Sequence, residues 1–123
     1  MLLVKSFSFA VRIVKLFQYL AKRKQEDVLS KQPLRSGTAV GALIREAQNT
    51  ESKKDFIHKL AIAQKECDET VYWLELLKET EYNYGEEFLS IFENANELLR
   101  IIKSSILTIK QKTLHPQFIS HHS

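Results

Sequence analysis

The sequence predicts an all-α protein, an antiparallel up-down-up-down four-helix bundle. Three observations point there: apolar residues recur at spacings of three and four, no run alternates with a period of two, and only three glycines and two prolines punctuate 123 residues. Four long periodic segments joined by short connections make sequence neighbours antiparallel in space. With 44% hydrophobic residues, a chain of this length forms one domain that can bury a real core.

The first segment, about 5–25, is apolar on one side and interrupted by Lys5, Arg12 and Lys15, so it falls short of the ~20 uninterrupted apolar residues a membrane span requires. Its charges lie inside the apolar run and no small-residue cleavage site follows, so it is read as mature structure rather than a signal peptide. The second segment covers about 28–48 and the third about 53–80, the latter opened by Ser52 with Asp55 three residues on, a pattern like a capping box. Asn83-Tyr84-Gly85 supplies the break before the fourth, about 86–112. The bundle therefore occupies residues 1–114, and the tail from His115 to Ser123, which carries Pro116, is expected to fray. Phe56, Leu60, Val71, Leu74, Phe88, Phe92, Leu99 and Ile102 are the expected core. A single cysteine, Cys67, excludes an internal disulfide framework and suits the cytoplasm.

The run LRSGTAVGALIREAQ, Leu34 to Gln48, places Gly37 and Gly41 four residues apart. A phosphate-binding loop needs GxxxxGK[ST] after a strand; here the spacing is short by one, Ala42 stands where the lysine should be, and no strand precedes. On a helix the two glycines share a face with Thr38 and Ala42 beside them, clearing a groove in which another helix can approach closely. Glycine in a helix interior costs about 1 kcal/mol relative to alanine, so two of them imply a packing reason.

This run, together with SKKDFIHKLAIAQKECDETVYWLELL from Ser52 to Leu77, is similar to the bacterial four-helix-bundle family of 23S rRNA-intervening sequence proteins. That family includes relatives of the accessory variability protein of diversity-generating retroelements. Arg35-Ser36-Gly37, Arg45-Glu46-Ala47, Lys54-Asp55-Phe56 and Tyr72-Trp73-Leu74-Glu75-Leu76-Leu77 fall in the family's order. The resemblance implies an up-down bundle that assembles into a homopentamer, with RNA or DNA and a reverse transcriptase as partners among the retroelement relatives. Pro33 departs from the apolar helix-former usual in the family; it fits the first turn after a Ser30 N-cap, or a kink.

The residues speak for assembly separately. On a helical wheel, Ile62, Trp73 and Leu76 gather away from the core stripe, beside Glu66 and Glu69, and are the expected oligomer interface. The alternative is that Trp73 merely covers the edge of the core. Apolar residues on helix one span an arc of about 220°, more than a surface helix needs, so something beyond the intramolecular core should cover part of it.

Charge is distributed unevenly. Residues 1–25 hold six basic residues and no acid, so residues 26–123 carry a net −3 against the chain's +3. Lys5, Arg12, Lys15, Lys22 and Arg23 share one side of helix one, with Tyr19 among them. Such a stripe can track a phosphate backbone without reading bases, and avidity would multiply its contacts in an oligomer. It can equally be a solvated face; adsorption to lipid is disfavoured because the bundle needs the same apolar side.

Signals for catalysis, metal or cofactor are poor. Di-iron bundles need Glu-x-x-His on two helices, and the chain offers only Asp55-x-x-His58. His58 and Cys67 lie about 180° apart around one helix and cannot meet. No metal ligand, cofactor or catalytic residue is assigned. Two readings stay open: an oligomeric nucleic-acid-associated accessory protein, using the helix-one stripe with Arg35, Arg45, Lys53 and Lys54 in support, or a protein-binding scaffold that ignores nucleic acid.

Overall fold

Gly41 explains how the first two helices come together. A β-carbon added there would lie 3.3 Å from the Ser6 carbonyl oxygen, so the backbone of helix one runs directly across the glycine. At Gly37 the added atom would lie 3.1 Å from Ile13 Cδ1 and 3.4 Å from a Phe9 ring atom. Helix one thus passes close to both glycines.

A computed structural model describes residues 1–24, 28–80 and 85–114. They form α1 (Leu2–Lys24), α2 (Val28–Ala47), α3 (Lys53–Glu79) and α4 (Gly85–Leu114). Each helix packs on the next and α1 closes against α4, while among the described residues the diagonal pairs do not meet. Antiparallel order is visible in the cross-links: Lys5 pairs with Glu97 and Arg12 with Glu87, Ser36 meets Thr70 and Glu46 meets Lys59. The fold is the expected four-helix bundle, and its core runs from Phe9, Ile13 and Phe17 through Val40, Ile44, Leu60 and Leu74 to Phe88, Ile91 and Ile102. Of the expected core residues, Phe56, Val71 and Phe92 are half-buried and pack against its edge.

Helix starts follow local chemistry. Ser52 adopts an extended backbone and its hydroxyl accepts the Asp55 N–H at 3.1 Å, satisfying one of the donors a helix start leaves free. Gly85 opens α4 at φ +78°, a conformation that side chains other than glycine resist. Asn83 and Tyr84 of the expected break, and the tail from His115, lie outside the described residues.

Pro33 requires a correction. The helix already begins at Val28, so Ser30 is inside it and does not cap it, and Pro33 is an interior proline. Such a residue removes one i to i−4 hydrogen bond. Its ring is fully buried, and that apolar burial is the compensation the structure offers. Nearby, the buried Thr70 hydroxyl lies 2.8 Å from both Ser36 Oγ and the Glu66 carbonyl, and Ser36 donates to the Gln32 carbonyl at 3.0 Å. The Ser36 and Thr70 hydroxyls at the α2–α3 seam are therefore satisfied.

Candidate interaction surface on helix one

Helix α1 presents three sides. One faces the core through Phe9, Ile13, Leu16 and Leu20. A second meets α4 through charge: Lys5 Nζ lies 3.5 Å from Glu97, and Arg12 lies 2.9 Å from Glu87, donates to Ser90 at 3.0 Å and also donates to Asn94. The third looks outward, with Val4 67% and Phe7 58% exposed, Leu3 and Val11 exposed beside them, and Lys15 and Lys22 further along.

The five-residue basic stripe is thereby divided. Lys5 and Arg12 spend their charge on α4, within the subunit. Lys15 and Lys22 are exposed and have no ion-pair partner among the described residues. The Arg23 side chain lies outside the described residues. Of the supporting cations, Arg35 is held between Glu66 at 3.4 Å and Glu69, to which it donates; that hydrogen bond to Glu69 is the main reason its guanidinium titrates higher than usual. Arg45 lies over the Phe7 ring, 6.0 Å from its centroid, while Lys53 and Lys54 are exposed.

Beside Phe7, a shallow groove of about 470 Å³ runs between α1 and α2, lined by Leu3, Phe7, Ala10, Gly41, Ala42 and Arg45. Gly41, with no side chain, and Ala42, with a single methyl group, leave this space open. Gly41 thus shapes the outer surface as well as the helix contact.

Ile62, Trp73 and Leu76 are half-buried rather than left wet by a single bundle. The Trp73 indole N–H donates to Glu69 at 3.3 Å, and its ring meets Tyr72 edge-on with centroids 5.1 Å apart. Because Glu66 and Glu69 on this side bind Arg35 of α2, the trio borders the α2–α3 seam. A bundle helix has two neighbours and hence two apolar flanks, and the wheel of α3 had one of them standing apart. Signals for the exposed α1 strip were present in its overly wide apolar arc; Arg35 as a clamp for two carboxylates was missed, since Glu69 reads locally as a partner for Lys65.

Cys67 is buried, and its Sγ lies 3.6 Å from the Ala95 carbonyl. Burial, with the charge of Asp68 second, pushes the thiol up to about 12, which makes it a poor nucleophile. His58 is exposed. No group of three or more metal-ligating side chains, and no helix long and apolar enough to cross a membrane, occurs among the described residues.

Comparisons with known proteins agree with this architecture. A crystal structure of a protein of unknown function from the S23 ribosomal protein family of Bacteroides thetaiotaomicron is 50% identical, with a TM-score of 0.81 over 86% of this chain and 98% of that one. None of the curated proteins matches. Residues 2–104, from the first turn of α1 well into α4, match the family described as 23S rRNA-intervening sequence protein, and the chain belongs to that family.

Proposed function

We propose that the chain is a non-enzymatic protein that works as a self-assembled bundle. The supporting observation is the outward strip of α1, where Leu3, Val4, Phe7 and Val11 stand exposed on successive turns of one helix. Scattered apolar residues on a surface are ordinary, but a continuous strip covered by neither neighbouring helix suits a subunit contact. The half-buried Ile62, Trp73 and Leu76 serve in this reading as a second, more polar contact at the α2–α3 seam. The family resemblance suggests five copies.

Light scattering at micromolar concentration is expected to give a multiple of the 14.3 kDa chain mass. Phe7→Glu with Val11→Glu reduces it to the mass of one chain while the helical circular dichroism remains. Dissociation by Ile62→Glu with Trp73→Glu, and not by the α1 pair, would place the contact on α3. A monomer mass for the unmodified protein removes the proposal.

A second reading is favoured by Lys15 and Lys22, which are exposed one above the other with Tyr19 between them. Repeated around an assembly, they would hold RNA or DNA through phosphates without base preference, and log affinity would fall by about 0.9 per phosphate with log salt. Lys15→Glu with Lys22→Glu abolishes that binding. Absence of retardation at low salt even for the unmodified protein leaves a scaffold for a protein partner, a reverse transcriptase among those the resemblance suggests.

A further inference from the structure

We infer that the outward strip of α1 docks antiparallel along the outward strip of α4 in a second copy of the chain. The inference rests on the self-assembly reading and names the surface that α1 meets.

The charges on α1 and on the first half of α4 mirror one another. Residues 1–25 contain no acid; residues 85–99 contain Glu86, Glu87, Glu93 and Glu97 and no lysine or arginine. Within a subunit the antiparallel α1–α4 contact uses two of the bases and two of the four acids, joining Lys5 to Glu97 and Arg12 to Glu87. Among the described side chains, what remains on α1 is Lys15 and Lys22, and of these acids on α4 Glu86 and Glu93, all four exposed and without an ion-pair partner. Two bases and two acids are left over on outward faces.

Their placement along the helices sets the direction. On α1 the strip is apolar in its first half, at Val4, Phe7 and Val11, and basic in its second. On α4 the order is reversed: Glu86 and Glu93 come first, and an open groove of about 630 Å³ follows, with Glu97 and Arg100 at its near end and Ile101, Ser104, Ser105, Thr108 and Ile109 beyond. Glu86, Glu93, Ser104 and Thr108 recur at intervals that keep them on one side of the helix. An antiparallel approach that brings Lys15 to Glu93 and Lys22 to Glu86 sets Val4 opposite Ser104 and Phe7 opposite Ile101 in this groove, whose serines and threonine let a helix come close, with Val11 at its Glu97 end. A parallel approach would set lysines over the groove that holds Arg100 and apolar side chains against carboxylates, losing both matches. Every copy carries both strips, so each can give and receive the contact.

Charge exchange tests it. Lys15→Glu with Lys22→Glu, and separately Glu86→Lys with Glu93→Lys, should each raise at least tenfold the protein concentration at which the assembly half-dissociates, and raising salt should weaken the unmodified assembly in the same direction. All four positions are exposed, and circular dichroism checks that the helices persist. The chain carrying all four exchanges should recover the assembly of the unmodified protein. Recovery is the outcome that specific α1–α4 pairing requires. An assembly indifferent to either pair of substitutions, or one that the fourfold exchange fails to restore, overturns the pairing while leaving self-assembly standing. A monomeric unmodified protein overturns both.

Discussion

Gly41→Leu should lower the stability of the bundle by about 1–3 kcal/mol, the usual range for forcing extra volume into a packed contact. The obstacle is backbone. A β-carbon at position 41 sits 3.3 Å from the Ser6 carbonyl oxygen and 3.7 Å from its carbon, and Ser6 is fully buried in the middle of a helical turn. Unlike the end of a side chain, a carbonyl in a hydrogen-bonded helix cannot rotate aside, so α1 and α2 must separate. Each kcal/mol lost corresponds to a fall in melting temperature of several degrees for a domain near this size. Gly37→Ala is the control, because its nearest obstacle is the terminal carbon of Ile13, and a helix gains up to about 1 kcal/mol when alanine replaces glycine. A melting temperature unchanged by Gly41→Leu would contradict the close-packing account of both glycines.

Those glycines were legible in the sequence because their meaning is local: four residues on a helix is one face, whichever helix lies opposite. The start of α3 was legible for the same reason, since the Ser52 hydroxyl accepts the Asp55 N–H within a single turn. Lys5 and Arg12 were not. Their acids sit on α4, with Glu87 75 residues beyond Arg12, and nothing in a wheel of α1 shows which flank will meet a carboxylate. The same limit left Trp73 apart from the core stripe of α3, whose Leu60 and Leu74 are fully buried, because a second neighbour, α2, approaches on that flank. Pro33 differs again. Local rules left a first turn or a kink open, and the first turn fails because the helix runs through the proline, its buried ring sharing a seam with the Ser36 and Thr70 pair. Position along a helix is written in nearby residues, whereas the occupant of each flank is decided by the fold.

Ile13→Ala should cost more than any surface change, about 2–5 kcal/mol, because the side chain is completely buried and its removal leaves both lost apolar burial and a cavity. The position of that cavity makes a sharper test. Ile13 Cδ1 lies 3.1 Å from where a Gly37 β-carbon would be, so the space vacated by the isoleucine opens directly onto the glycine. Gly37→Ala places a methyl group at that mouth. In the unmodified protein the methyl group must displace Ile13; in Ile13→Ala it meets no such obstacle and adds contacts. The two changes should therefore be less damaging together than the sum of their separate effects, with a coupling of about 0.5–3 kcal/mol, the range found for residues in contact. Urea denaturation of the four proteins of this cycle reads it directly, provided that the slope of unfolding against denaturant stays constant across them. Strict additivity would mean that α1 and α2 do not meet at Ile13 and Gly37, and the packing of these two helices would have to be redrawn.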